Sequence, residues 1–144
     1  MSYVRIWVHC VWGTKNKALF LTSRNKWEII NHIRENAGRK NIYIDFINGD
    51  KEHIHCILSL GADQTLAKCM QLIKGESSRW INKENIVNGR FEWAEEYFAV
   101  SVSENDINKV RDYIKNQEEH HRIHTWTEEY NKFLEQYHFE KFPG

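Results

Sequence analysis

The sequence predicts an α+β protein whose elements follow one another in the order β-α-β-β-α-β-α-α. Segments with alternating apolar and polar residues indicate half-buried strands, and segments with apolar residues three or four positions apart indicate amphipathic helices. The first six elements match the ferredoxin-like split βαβ arrangement, an antiparallel sheet with two helices on one face. The last two helices are C-terminal additions. This fold occurs with many functions and does not indicate one by itself.

The first half of the chain predicts three strands and one helix. Residues 3–12 form the first strand, which is rich in Val, Ile and Trp, and a basic loop over residues 13–17 follows it. Ser23 caps a helix that ends near Lys40, with Trp27, Ile30 and Ile33 at helical spacing. Residues 42–47 form the second strand. Residues 48–50 read Asn-Gly-Asp, which predicts a turn, so the second and third strands form a hairpin.

The second half predicts three helices and one strand. Asp63 caps a helix that runs through residue 80, and residues 81–91 form a polar connection. Residues 96–102 form the fourth strand. Asn105 or Asp106 caps a third helix that ends near residue 122, and Thr127 opens a fourth that runs through residue 137.

The composition predicts a single domain over residues 1–144. A chain of 144 residues with 41% hydrophobic residues can bury a real core, and its one Pro leaves no Pro-rich linker. Lys plus Arg equals Asp plus Glu, at 20 each, which argues against a protein that coats duplex DNA by charge alone. The three cysteines have no metal-type pairing, and Cys10 and Cys56, which lie in apolar strand patterns, suggest buried free thiols and a cytoplasmic location. No apolar run is long enough to span a membrane, and the first twelve residues do not read as a signal peptide.

The third strand carries two histidines. In residues 53–60, Ile54, Cys56 and Leu58 fall on one face, and His53 and His55 fall on the other. Imidazoles at positions i and i+2 lie side by side, about 6–7 Å apart along the strand. Two neutral imidazoles so placed can share one metal ion, although the same pattern also fits two histidines that face solvent.

The third helix carries Tyr113 and Gln117 one turn apart. Ile107, Val110 and Ile114 form its apolar stripe, whereas Tyr113 and Gln117 lie on the flank as surface neighbours. Taken alone, this pattern also fits an ordinary amphipathic helix with a half-buried tyrosine.

Together the two motifs resemble the small single-tyrosine HUH transposases of the insertion-sequence 200/605 group. The resemblance rests on His53-Ile54-His55 and on the Tyr113-x-x-x-Gln117 pattern, in the right order and over nearly the whole chain. It implies a DNA strand transferase that acts on single strands. Tyr113 would be the nucleophile and form a 5′-phosphotyrosine, and His53, His55 and Gln117 would hold one divalent ion, Mg²⁺ or Mn²⁺.

The resemblance also implies the partners of the protein. Single-stranded DNA hairpins would be its substrate, and it would form a homodimer in which the tyrosine helix of one subunit completes the histidine site of the other. The cations predicted to line a DNA groove are Lys15, Lys17, Lys68, Lys74 and Arg79. The joint at residues 103–106 has no Gly, whereas a hinge for an exchanged helix would be expected to contain one.

Several alternatives stay open at this level. His9 is either a core residue or a neighbour of the histidine strand, and His120, His121 and His124 are solvated, contact DNA or supply a ligand. Two other functions fit the sequence: a single-strand nucleic-acid binding module without enzymatic activity, domesticated or not, and a metal-dependent phosphoesterase without a covalent tyrosine. A covalent protein–DNA adduct would distinguish the transposase from both.

Overall fold

The computed structural model describes residues 2–137 and contains one four-stranded antiparallel sheet. The strands are β1 (Trp7–Gly13), β2 (Tyr43–Asp50), β3 (His53–Ser59) and β4 (Phe98–Val102). Their order across the sheet is β2-β3-β1-β4. β3 and β1 are therefore the two central strands, as the predicted ferredoxin-like arrangement requires.

Five α-helices accompany the sheet in the described residues: α1 (Lys26–Arg39), α2 (Leu66–Lys83), α3 (Ile107–Lys115), α4 (Gln117–Ile123) and α5 (Trp126–Gln136). Short 3-10 turns precede α1 and α3, at Lys15–Lys17 and Glu104–Asp106. None of these helices combines the length and the apolar character that crossing a membrane needs. All three cysteines are buried free thiols.

The helices cover both faces of the sheet. Cys10, Ile54 and Cys56 project from the sheet into a core shared with α1 and α2. On the other face, α3 packs through Ile107 and Ile114 against Trp7 and Ile57. A third cluster there joins α5 to β1 through Val11, Trp126 and Phe133. The C-terminal helices thus bury the sheet face that carries His53 and His55.

The predicted first strand is too long. β1 begins at Trp7 rather than residue 3, and the side chains of residues 2–6 are exposed. Its partner β3 ends at Ser59, and only one further backbone bond, from Leu60 N to Ile6 O, extends the pairing. The apolar character of residues 3–6 therefore does not indicate a paired strand.

The predicted turn at Asn48-Gly49-Asp50 is wrong. All three residues continue β2, opposite His55, Ile54 and His53. The Asn48 amide donates to the carbonyl oxygens of Ile114 (3.0 Å) and Lys115 (3.2 Å), so this residue ties the end of α3 to the sheet. Gly49 is required for close packing, because a Cβ there would lie 2.4 Å from the His53 carbonyl oxygen.

The predicted helix boundaries shift by a few residues. α1 follows Asn25 rather than Ser23, and α2 is capped by Thr65, whose side chain accepts from Lys68 N, rather than by Asp63. Thr125 rather than Thr127 opens α5, through a capping box with Glu128. Trp27, predicted on the core face of α1, is 49% exposed, and Ile29 takes a buried place instead.

The third predicted helix divides in two. A turn at Asn116, whose backbone angles depart from helical values, separates α3 from α4. Gln117 consequently begins α4 rather than continuing the helix that carries Tyr113.

Candidate active site

His53 and His55 stand side by side on β3 and are completely buried. Both have no exposed surface, and their ring centroids are 5.1 Å apart. They face away from the core of α1 and α2, as the alternation predicts, and α3, α4 and α5 shield them from solvent. The Trp126 ring stacks on the His53 ring at 4.3 Å. The solvent-facing interpretation of this pair is therefore wrong.

Gln117 and Tyr113 both meet the histidine pair in spite of the break at Asn116. Gln117 Oε1 lies 3.2 Å from His53 Nε2, and the Tyr113 ring centroid lies 5.5 Å from that of His55. The Gln117 amide donates to the Tyr113 carbonyl oxygen at 3.2 Å, which keeps the two residues one turn apart. The four predicted residues of the site therefore lie together within one chain.

Glu129 of α5 is a site residue that sequence reasoning missed. Its Oε1 lies 2.8 Å from His55 Nε2, and its Oε2 accepts a hydrogen bond of 2.6 Å from the Tyr113 hydroxyl. It is 3% exposed. One sequence signal could have revealed it: Glu129 shares a helical face with Trp126 and Phe133, and a carboxylate on the apolar face of an amphipathic helix is unusual.

Two of the three histidines left open by the sequence join the site. His120 Nε2 and His121 Nε2 lie 3.0 and 3.1 Å from Glu129 Oε2. The His121 ring also approaches His53, with centroids 4.4 Å apart. His124 is exposed and pairs with Glu128 instead, at 3.5 Å.

His9 is a neighbour of the histidine strand. It projects from β1, and its Nε2 lies 2.9 Å from His55 Nδ1. A hydrogen bond to the second ring nitrogen of a ligand histidine orients the first one. His9 can thus hold the His55 ring so that its Nε2 faces Glu129.

Burial and the Glu129 charge set the electrostatics of the cluster. Burial lowers the pKa of His55 to about 3 and that of His9 to about 4, so both imidazoles are neutral. Burial, together with the Glu129 charge, raises the pKa of the Tyr113 phenol. Burial also opposes ionisation of Glu129, but hydrogen bonds with His121 and His55 outweigh it and leave the pKa of Glu129 well below its usual range.

The donor set fits a divalent cation. Four possible donor atoms lie within 4.8 Å of one another: imidazole nitrogens of His53, His55 and His121 and a carboxylate oxygen of Glu129. Neutral imidazoles offer lone pairs, and a buried carboxylate offers the negative charge that a cation would neutralise. Nitrogen and oxygen donors in this mixture suit Mn²⁺ and later transition metals better than an all-oxygen site would.

A cleft of about 360 Å³ reaches Tyr113 from outside. Lys109 and Lys132 line it from two sides, together with His120 and His124. A larger cleft of about 690 Å³, between α1, β2 and the α3–α4 junction, contains none of the histidines or Tyr113. The smaller cleft is therefore the one through which a phosphate could approach the phenol.

The five cations predicted to line a DNA groove come from two parts of the fold, the loop after β1 and helix α2. Lys17 reaches α5, where its Nζ donates to Thr127 Oγ1 at 3.1 Å. Lys15 pairs with Glu92 at 3.0 Å. Lys68, Lys74 and Arg79 belong to α2, on the opposite face of the sheet from the histidine pair. Their DNA contacts stay a prediction.

Comparisons with known proteins show similarities in sequence and in fold. Residues 2–117 match the model of a protein family described as transposase, IS200 like. A proposed transposase from Deinococcus radiodurans R1 has a similar fold, with a TM-score of 0.63 and 20% identity over 81% of this chain and 95% of that one. A REP-associated tyrosine transposase, solved bound to a REP hairpin, gives a TM-score of 0.60 and 18% identity over 88% of this chain and 73% of its own. Among curated proteins, none matches this chain.

Proposed function

Because the chain belongs to the IS200-like transposase family, we propose that it cleaves and rejoins single-stranded DNA through a covalent intermediate on Tyr113. The observation that carries the proposal is the Tyr113 hydroxyl itself. It borders the cleft lined by Lys109 and Lys132 and is held against a buried set of imidazole and carboxylate groups by its bond to Glu129. A phenol so placed can meet a phosphodiester in a fixed orientation.

The reaction exchanges one phosphate ester for another. The Tyr113 oxygen attacks the scissile phosphorus, a tyrosine–phosphate bond forms, and the bond to the 3′-oxygen breaks. The phenol releases its proton to solvent, and the leaving 3′-oxygen takes one from solvent to become a hydroxyl. The energy of the ester is kept in the 5′-phosphotyrosine, so attack by another 3′-hydroxyl rejoins a strand without ATP.

His53, His55 and Gln117 would hold a divalent cation, Mg²⁺ or Mn²⁺. When bound, it supplies positive charge for the non-bridging oxygens of the phosphate in the transition state. The protein's own groups orient the reactants: His9 faces the second nitrogen of His55, and Gln117 bonds to both His53 and the Tyr113 carbonyl. The α3–α5 layer keeps bulk water away from the imidazoles.

DNA hairpins with unpaired flanks are the proposed substrate. Lys109 and Lys132 beside the cleft offer cations to a single strand, while the neutral net charge of the chain favours a small footprint. The REP-associated transposase with a similar fold was solved bound to a REP hairpin.

We also propose a homodimer that exchanges the segment after β4. The contacts of α3 with Trp7 and Ile57 could be made equally by the same helix of a second copy, so the exchange would cost few contacts. In the described chain Tyr113 already lies beside its own histidines, and a subunit exchange experiment distinguishes the two arrangements.

A covalent adduct is the direct test of this function. The protein would be incubated with a hairpin-bearing single strand and Mn²⁺ and then run on a denaturing gel. A phosphotyrosine enzyme gives a shifted protein–DNA band. Cut DNA without that band would indicate a phosphoesterase that uses water, and neither product would indicate a binding module; either result would contradict the proposal.

A further inference from the structure

The carboxylate of Glu129 divides its two oxygens between two groups of partners. Oε1 faces the strand histidines, at 2.8 Å from His55 Nε2 and 3.6 Å from His53 Nε2. Oε2 faces the other way and accepts the hydrogen bond from the Tyr113 hydroxyl. A single side chain therefore touches both the candidate cation donors and the oxygen that would attack DNA.

Burying this carboxylate is costly, so its position calls for a compensating interaction. Glu129 is 3% exposed, and within residues 2–137 its ion-pair partners are all histidines, two of which, His53 and His55, are also proposed cation ligands. An apolar residue would pack more easily between Trp126 and Phe133 on the same face of α5. The capping box at Thr125 begins α5 and so helps to set the position of Glu129.

Family membership does not explain this residue. The match to the IS200-like family ends at residue 117, twelve positions before Glu129. His120 and His121, which also contact Glu129, lie beyond that end as well. The carboxylate belongs to the C-terminal addition of this chain.

We propose that Glu129 is a positioning residue that holds the Tyr113 hydroxyl beside the His53–His55 pair and couples cation binding to the nucleophile. The inference rests on the proposed function, because it assigns Glu129 to the same reaction. It holds for a cis site and for an exchanged one, since Tyr113 and Glu129 belong to the same C-terminal segment.

The coupling has a direction that can be measured. The Tyr113 hydroxyl donates to the carboxylate and so satisfies part of its charge. In Tyr113→Phe the Glu129 carboxylate loses that hydrogen bond, so the binding of a cation beside the carboxylate becomes more favourable. We expect Mn²⁺ to bind Tyr113→Phe more tightly than the wild type, by up to about tenfold, because one hydrogen bond to a charged group can change an affinity by that much. The Glu129→Gln variant should bind Mn²⁺ more weakly than the wild type, and adding Tyr113→Phe to it should change nothing further.

The experiment is a calorimetric titration with Mn²⁺ of four proteins: wild type, Tyr113→Phe, Glu129→Gln and the double variant. The control is Glu135→Gln, which removes an exposed carboxylate from the same helix and should leave the Mn²⁺ affinity unchanged. Non-additive effects of the two substitutions support the inference, and additive effects overturn it. If Glu129→Gln does not fold, the titration of Tyr113→Phe still tests the coupling. An unchanged Mn²⁺ affinity of Tyr113→Phe would overturn it.

Adduct formation provides the second measurement. Glu129→Gln should slow the adduct by about a hundredfold, as misplacement of a nucleophile does, while its affinity for a DNA hairpin does not fall. If the wild type forms the adduct and Glu129→Gln forms it at the same rate, the role of Glu129 is refuted and the proposed function is not. If the wild type binds Mn²⁺ but forms no adduct, the proposed function is refuted. If the wild type does not bind Mn²⁺, both the proposed function and the inference about Glu129 are refuted.

Discussion

Tyr113 has a half-buried ring and a hydroxyl that can be reached from a surface cleft. Its ring is half buried against His9 and His55, whereas its hydroxyl borders the cleft lined by Lys109 and Lys132. Because its pKa is raised, the phenol is protonated at neutral pH, and the proposed attack on a phosphate requires the loss of that proton. The reactivity of this residue therefore depends on the groups that surround it.

Tyr113→Phe should abolish the covalent adduct and leave hairpin binding nearly unchanged. The substitution removes only the hydroxyl, and the ring still packs against His55. Denaturing gels measure the adduct, and a fluorescence anisotropy titration measures binding. An adduct in the variant protein would show that another residue is the nucleophile.

His53→Ala combined with His55→Ala should abolish Mn²⁺ binding in calorimetry. Because both side chains are completely buried, the variant should also lose about 2 kcal/mol or more of its free energy of unfolding. The matched control is His32→Ala. His32 lies on α1, away from the site, where it bonds to Glu76 at 2.7 Å and stacks on Trp80. That variant should lose stability and still bind Mn²⁺, and unchanged Mn²⁺ affinity in the double alanine variant would rule out the metal role.

At the scale of elements, the end of β2 positions the tyrosine helix. Asn48 donates to the last carbonyls of α3, and Gly49 lets the β2–β3 pair approach closely beside His53. The Asn-Gly dipeptide, which usually indicates a turn, serves here to dock α3 onto the sheet. The geometry of Tyr113 thus depends on two residues of a neighbouring strand.

Gly49→Ala should destabilise the protein by about 2–3 kcal/mol, because the new methyl group would overlap the His53 carbonyl and the Ile54 side chain. Gly38→Ala is the control. A Cβ at Gly38 meets nothing within 4 Å in α1, so that substitution should stabilise the helix by about 0.5–1 kcal/mol. Urea denaturation of both variants measures the difference, and equal effects would contradict the close packing at Gly49.

At the scale of the whole molecule, charge limits how the protein binds DNA. The net charge is zero, and the predicted cations are divided between the two faces of the sheet. Hairpin affinity should fall with salt with a logarithmic slope of about −2 to −4, which corresponds to a handful of phosphate contacts on a single strand. Anisotropy titrations at several salt concentrations measure the slope, and a slope near −10 or a preference for plain duplex would contradict this small footprint.

Subunit exchange tests the proposed dimer. Tyr113→Phe and the His53→Ala, His55→Ala double variant would be mixed and allowed to exchange subunits. With exchanged helices, one of the two sites in a mixed dimer has intact histidines and an intact tyrosine, so cleavage should return to at most about half. Each single protein provides the inactive control. No cleavage after verified exchange would establish the cis site that the single chain already contains.

Much of the fold, and the face of β3 on which His53 and His55 lie, were predictable from local sequence. The two-residue period of β3 placed His53 and His55 on the face opposite Ile54 and Cys56. The helical period placed Gln117 one turn after Tyr113, and a side-chain bond keeps that spacing although the helix breaks at Asn116. The strand pattern is a local consequence of backbone geometry, which is why it survives in the folded chain. The resemblance to the family rests on the same residues.

Tertiary structure decided what covers the site. Three features depend on contacts between residues distant in the chain: the burial of the histidine pair, the place of Asn48 and Gly49 within a strand, and the contact of Glu129 with the site. Glu129 lies 74 positions after His55 and reaches it only because α5 packs its aromatic face onto β1. A sequence period indicates which face of an element is buried, but the partner of that face follows from three-dimensional packing, in which side chains of separate elements must fill one common volume.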